Sequence, residues 1–372
     1  MVILGRWFKR RREPDSEAPR QPPPRLTLEV SIERDGRTVA SEDLGTTMAA
    51  ALQYFAYGNQ YGATDERTLE MGSRYAQELM RDNQIDVAVT VYRELVGLRS
   101  SALGPEHPDT LRSKHSLAFA LWQGGSFAEA ERVQRATYGA RCRVLGESHA
   151  DTLSSGNNLG WLLIELGRIT EAEPLLRRVA DGMTRTLGEA AANTLICRLK
   201  LAGIDHLQGR TDQAERAMRT VIERMGRTLG VTDPVTLGAR GNLLVVLLDS
   251  GRAAEAIDAA RALVADVGRV LDDTDETSLH ARHSLARALA GVDRRAEAIR
   301  LLATTVPDSE RGRGADHPAT LDMRRLFAEL LVEAGDRRAG SEARAALAGW
   351  ERVAGPGHPK TEEARAVLRR AR

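Results

Sequence analysis

His280 and His283 stand three residues apart, a spacing that brings both imidazoles to one face of a helix, where they could share a metal ion or form a pH-sensitive patch. The spacing places no third ligand, so the pair reads as part of a solvated surface and no metal is assigned. His107, His149, His317 and His358 recur because a helix start recurs. Equivalent positions in stacked units lie about 10 Å apart, too far for one ion ligated at about 2 Å. Cys142 and Cys197 sit in no C-x-x-C motif and at different phases of the repeat described below, which suggests no disulfide and fits a reducing, cytoplasmic setting. The sequence has no G-x4-G-K-[ST], G-x-S-x-G or H-E-x-x-H. Gly312-Arg313-Gly314 lacks the third glycine of a dinucleotide loop, and Glu362-Glu363 reads as the start of an exposed helix. These residues describe a chain that is not an enzyme and carries no cofactor.

The elements that position these side chains follow from one period. The pair Thr68-Leu69 recurs as Thr110-Leu111, Thr152-Leu153, Thr194-Leu195, Thr236-Leu237, Ser278-Leu279 and Thr320-Leu321, each 42 residues after the last, and Thr361 comes 41 residues on. Leu103-Gly104, Leu145-Gly146, Leu187-Gly188 and Leu229-Gly230 keep the register, as do Ala88, Ala130, Ala172, Ala214, Ala256 and Ala298. A fixed period of this length marks a solenoid, whose units bury their apolar faces only against each other. Each unit reads as two helices. The first starts near the Thr-Leu step, where Pro108 and Asp109 suit a first turn, and breaks at Gly124-Gly125. The second runs from about Phe127 to Leu145, with Gly146 at its end and Ala130 where the helices approach closely.

Along the chain, residues 1–25 combine the basic cluster Lys9–Arg12 with Pro14, Pro19 and Pro22-Pro23-Pro24, a composition that reads as a disordered tail. Val2, Ile3, Leu4, Trp7 and Phe8 could touch an anionic membrane, but a single short apolar run binds membranes only marginally. Residues 26–45 read as a β-hairpin, with Leu26, Leu28, Val30 and Ile32 alternating against polar residues and a turn at Asp35-Gly36. Residues 46–61 read as a leading helix whose Tyr54, Phe55, Tyr57 and Tyr61 form a hydrophobic cap on the first repeat. Seven repeats fill 62–354, and 355–372 reads as a capping helix with Ala364, Val367 and Leu368 facing inward. The 53 basic and 52 acidic residues are interleaved, leaving a net charge of +1, which argues against nucleic acid as a partner. No run of about 18 apolar residues predicts a membrane span.

The block LG-x-x-H-P-x-T-L-x5-L-A-x2-L-x3-G-x3-E-A resembles the tetratricopeptide repeat in the long form seen in kinesin light chains and in sensor regions of bacterial signalling NTPases. Residues 103–130 and 145–172 carry it best, through His107-Pro108, Thr110-Leu111 and Glu129-Ala130, then His149, Thr152-Leu153, Asn158-Leu159 and Glu171-Ala172. Ala191 and Asp233 replace the loop histidine, Gly340 the second-helix alanine of repeat 7, and Arg313 the leucine before its glycine. The resemblance implies an all-α, right-handed α-solenoid of helix-turn-helix repeats whose first helices line a concave groove. Carried onto repeats 2 and 3, its groove positions are Arg112, His115, Phe119, Trp122 and Gln123, then Ser154, Asn157, Trp161, Ile164 and Glu165.

Phe119, Trp122 and Trp161 then become candidate anchors for a peptide, with His115 and Asn157 hydrogen-bonding its backbone and Arg112 beside them. The same phase turns charged in repeats 6 and 7, with His280, His283 and Arg287, then Asp322, Arg325, Glu329 and Glu333. The expected function is a scaffold that binds a protein or peptide in the groove. The alternative is a regulatory sensor of a bacterial signalling system, in which the repeats detect a ligand or partner and the N-terminal region relays the output.

Overall fold

The structure, a computed structural model, describes residues 45–82 and 84–371 together with the backbone of two short strands. These strands, β1 (Ile32–Arg34) and β2 (Arg37–Val39), pair antiparallel with Ile32 opposite Val39. The tail over residues 1–25, its apolar cluster and the turn at Asp35-Gly36 lie outside the described residues.

Helix α1 (Thr46–Tyr61) leads, and seven pairs follow: α2 (Glu66–Arg81) with α3 (Ile85–Leu103), α4 (Pro108–Gln123) with α5 (Phe127–Leu145), α6 (Ala150–Glu165) with α7 (Ile169–Leu187), α8 (Ala192–Leu207) with α9 (Thr211–Thr228), α10 (Pro234–Asp249) with α11 (Ala253–Val270), α12 (Glu276–Gly291) with α13 (Arg295–Arg313), and α14 (Pro318–Glu333) with α15 (Ala339–Ala354). Helix α16 (Pro359–Arg370) is the last helix among the described residues. Contacts divide the described residues into two compact units, 45–189 and 190–371. Within each unit a helix packs on its chain neighbours, and first helices of successive repeats meet, as α4 meets α6 and α10 meets α12.

Local chemistry sets the helix bounds. Seven of the eight first helices open on an N-cap residue whose side chain accepts the backbone N–H two positions on: Asp65, His107, His149, Asp233, Asp275, His317 and His358. The recurring histidines are therefore caps, with Nδ1 in the role that the aspartate carboxylate plays elsewhere; His149 Nδ1 accepts from the Asp151 amide at 3.1 Å. Ala191 provides no such bond to α8. Second helices end on Gly104, Gly146, Gly188, Gly314 and Gly355, with φ between 84° and 99°; at Gly146 φ is 88° and ψ 158°, a conformation open in practice to glycine alone. The chain then turns straight into the next cap, and the Thr110 hydroxyl donates to the Gly104 carbonyl at 2.8 Å.

The core is a column of periodic residues. Ala88, Ala130, Ala172, Ala214, Ala256 and Ala298 are all completely buried, and the leucines of the Thr-Leu steps are buried with them. The two units differ in how they place arginine beside this column. In 45–189 it comes from second helices: Arg99 donates to Ser73 at 3.1 Å and to Ser113, and Arg141 donates to Ser155 and to the Asp151 carbonyl at 2.8 Å. The first-helix positions Gly72 and Gly156 are glycine because a Cβ at Gly156 would stand 2.6 Å from Val179 and 3.0 Å from Tyr138. In 190–371 the same register holds Arg240, Arg282 and Arg324, which reach acids on second helices; Arg240 meets Asp266 at 2.7 Å and Arg282 meets Asp308 at 2.7 Å.

Denaturant unfolding of three variants, followed by circular dichroism, checks this account. Gly146→Ala forces a side chain into the positive-φ turn and is expected to cost about 1–3 kcal/mol. Asp308→Ala removes the buried carboxylate from Arg282, leaving the guanidinium only the Asp273 and Ser278 carbonyls and the more distant Asp273 carboxylate at 3.8 Å, and should cost about 3 kcal/mol. Glu171→Ala breaks only an exposed pair with Arg135 (3.2 Å) and Arg168, and should cost less than about 1 kcal/mol.

Candidate functional site

In unit 45–189 the first helices α4 and α6 bring three aromatic rings together. Phe119 and Trp122 lie on α4 with ring centroids 5.5 Å apart, and Trp122 meets Trp161 of α6 edge to face at 6.5 Å and 87°. The spacing Phe119 to Trp122 is one helical turn, so both rings leave α4 on the same side. Their exposures differ: Phe119 keeps 37% of its surface in solvent, Trp122 is half-buried and Trp161 is buried. Trp161 thus supports Trp122 from behind, while Phe119 and Trp122 form the presented surface.

The polar residues expected beside them are largely internal. His115 is buried, with Nδ1 3.2 Å from the Gln134 amide nitrogen of α5 and Nε2 3.3 Å from the side-chain amide of Asn158 on α6. Gln134 also donates to the Ser155 carbonyl at 2.9 Å. The imidazole is a joint between three helices, with both ring nitrogens engaged by the protein. Asn157 is buried, and Arg112 pairs with Asp109 on its own helix at 2.9 Å.

Unit 190–371 carries a polar strip on its first helices. Lys200 on α8, Asn242 on α10 and Ser284 on α12 follow at 42-residue spacing, and all three are buried. Burial pulls the Lys200 ammonium down to about 8, and the Asn242 amide makes no side-chain hydrogen bond among the described residues. His280 packs beside Ser284, Nε2 to Oγ 3.2 Å. Burial, with the Arg313 guanidinium adding to it, pulls His280 down to about 3. His283 is half-buried and is shifted the same way, by desolvation first and then by Arg287. Arg287 reaches Asp249 of α10 at 3.4 Å, and the other oxygen of that carboxylate is 3.1 Å from His206 Nε2 of α8. Arg325 is held by Glu329 at 3.2 Å and Glu363 at 3.4 Å. The expected cations are therefore present but compensated by carboxylates.

Lys200, Asn242, Asp249 and His206 were not singled out by the sequence reading. The shared register of Asn158, Lys200, Asn242 and Ser284 was the signal available for two of these four positions, Lys200 and Asn242. Among the described residues no group of three or more His, Cys, Asp or Glu is placed to hold a metal ion. None of their helices is long and apolar enough to cross a membrane. Cys142 and Cys197 carry thiols rather than a disulfide.

Tetratricopeptide-repeat family models match residues 110–151, 151–227 and 278–319. No curated protein matches the sequence. Among solved structures, a putative kinesin light chain with tetratricopeptide-like repeats from Podosopora anserina is 26% identical over 55% of this chain and 97% of its own, with a TM-score of 0.47. The apo form of the quorum sensor NprR from B. thuringiensis is 13% identical, covering 87% of this chain and 94% of its own, at a TM-score of 0.55. A Rap protein complexed with Competence and Sporulation Factor is 10% identical, covering 87% and 97%, at 0.52. The likeness to these last two is one of fold. The matched residues are tetratricopeptide repeats, and within each unit the helices pack in antiparallel pairs of the kind that build an α-solenoid.

The buried His280 makes acid sensitivity measurable. A histidine held near 3 in the folded protein but near 6.5 in the unfolded chain takes up its proton only on unfolding. Its contribution to stability is complete above about 6.5 and falls as the pH drops from there toward about 3. Between pH 7.5 and pH 5 the loss should be about 2 kcal/mol. Urea unfolding of wild type and His280→Gln at both pH values checks it; a pH difference that is the same in the two proteins would remove His280 as its source.

Proposed function

We propose that this protein of tetratricopeptide repeats is a non-enzymatic interaction scaffold that holds a peptide or a segment of a partner protein against the first-helix face of α4 and α6. The observation that carries the reading is the pair Phe119 and Trp122, two aromatic surfaces presented from a rigid helix and backed by the buried Trp161. Rigid aromatic side chains give large contact area at low entropic cost, and they dominate interface energetics. His115 and Asn157 act in this reading as supports that fix the face, and Arg112, paired with Asp109, lies on its rim. His283, Arg287 and Arg325 form a second, polar contact surface in unit 190–371. The proposed organisation is a tail over 1–25, a hairpin segment over 26–45, a leading helix over 46–61, seven repeats over 62–354 and a capping helix over 355–372. The two thiols support a cytoplasmic placement, and the interleaved charge of +1 supports a protein partner over nucleic acid.

A regulatory reading is supported by the nature of two proteins that share the fold, one named as a quorum sensor and one solved with a Competence and Sporulation Factor. In this chain the polar strip from Lys200 to Ser284 would suit the polar part of such a ligand. The N-terminal region would then relay the bound state.

Crosslinking capture from the native cell, compared between wild type and a Phe119→Ala, Trp122→Ala double variant of unchanged helicity, tests the scaffold. The expected result is a partner retained by wild type and weakened by about tenfold or more in the variant. Trp161→Ala is unsuitable for this test, because truncating a buried tryptophan should itself cost about 3–5 kcal/mol. An unchanged partner list would sink the aromatic face. Loss of capture in an Arg287→Ala variant instead would move the site to unit 190–371.

A further inference from the structure

The aromatic face lies at the carboxyl-terminal ends of two helices. Phe119 and Trp122 stand in the last five residues of α4, and Trp161 stands in the last five of α6. Aligned peptide dipoles give such an end a partial negative charge, so a cation placed there is stabilised. The last turns of α4 and α6 hold no basic residue. From Ser116 to Ala128 and from Thr152 to Gly167 the sole charged side chain is Glu165, one turn after Trp161. The cations next in sequence are engaged elsewhere. Lys114 donates to the Pro105 carbonyl at 2.8 Å, beyond the other end of α4, and Arg168 is held by Glu171 at 2.6 Å and by Glu131 at 3.3 Å.

The rings carry the same sign. An aromatic side chain is negative on its face and positive at its edge, and a cation is drawn to the face. Trp122 and Trp161 stand at 87° and Phe119 and Trp122 at 40°, so none of these rings lies flat on another, and Phe119 and Trp122 both keep part of their surface in solvent. Ring faces, helix ends and Glu165 therefore combine into one negative surface to which the chain itself brings no basic side chain from either helix end. We infer that the side chain seated on Phe119 and Trp122 is a cation, the guanidinium of an arginine on the partner segment. The inference rests on the reading that a partner binds at α4 and α6, and it specifies what that partner presents. Arginine fits better than lysine because its planar, weakly hydrated group stacks on an aromatic face. An apolar anchor would find the same contact area but would gain nothing from the helix ends.

Fluorine NMR of the full chain labelled with fluorotryptophan tests it, with the Trp122 resonance assigned through Trp122→Phe and circular dichroism confirming that each variant is folded. The probes are N-acetylarginine amide and N-acetylleucine amide, which share a backbone and differ in the side chain. The arginine probe should shift the Trp122 resonance saturably and bind about two- to fivefold more tightly than the leucine probe. Phe119→Leu keeps an apolar side chain at a partly exposed position and removes the ring, so it should erase that preference while the leucine probe binds as before. Glu165→Gln should weaken the arginine probe alone, by about twofold. Equal or tighter binding of the leucine probe would overturn the inference and leave the scaffold reading standing, because the face would still bind. An arginine preference that survives both Phe119→Leu and Glu165→Gln would overturn it as well. So would a Trp122 resonance that neither probe moves; capture of a partner by wild type and not by the Phe119→Ala, Trp122→Ala variant would then keep the scaffold reading apart from this failure.

Discussion

The close approach of two helices at Ala88, Ala130, Ala172, Ala214, Ala256 and Ala298 is the contact on which the rest of this structure depends. Each alanine is completely buried, and a larger side chain there would push apart a helix pair and, with it, every neighbour stacked on that pair. The leucine of each Thr-Leu step is buried at the other end of the pair, where Leu153 stands against Gly182 and Leu321 against Gly349. Neither helix could bury its apolar face alone, so the stability of a repeat comes largely from the repeats on either side.

Polar groups must enter such a frame without opening it. Unit 45–189 does this with Arg99 and Arg141, whose guanidinium groups cap carbonyls and serine hydroxyls of the first helices, next to glycines that let Tyr138 and Leu95 approach. Unit 190–371 reverses the direction, sending Arg240 and Arg282 from first helices to Asp266 and Asp308. A buried pair of opposite charges roughly repays its own desolvation, so the second arrangement adds specificity of pairing more than net stability. The exposed pairs that join successive second helices, such as Arg93 with Glu129 and Arg261 with Glu297, add little beyond solubility.

The same frame explains the character of the two candidate surfaces. On α4 and α6 a polar joint of His115, Gln134 and Asn158 holds the helices in register beneath an aromatic face, so Phe119 and Trp122 are presented without freedom to collapse. In unit 190–371 the first helices instead carry buried polar groups at consecutive repeats, and the cations near them are tied to Asp249, Glu329 and Glu363. One surface suits anchors that lie on aromatic rings and the other suits hydrogen bonding, which is why a single ligand chemistry does not describe both.

Helix bounds, caps and the alanine column were legible in the sequence because each is decided within a few residues. The Thr-Leu step marks the first turn, Phe127–Leu145 is the second helix as its pattern predicts, and the positive-φ backbone at Gly146 strongly favours glycine. The 42-residue register repeats these local decisions and so reveals the pairing of helices. The register does not say which side of a first helix meets its neighbours. A first helix has neighbours on more than one side, and only their packing decides that His115, Asn157 and Trp161 are enclosed while Phe119, four residues from His115, keeps a solvent face. Phe55 shows the same limit at the end of the chain. Its type predicts burial, and it is the packing of Tyr54 and Tyr57 with Met71 of α2 that turns the neighbouring Phe55 to a 60% exposed position.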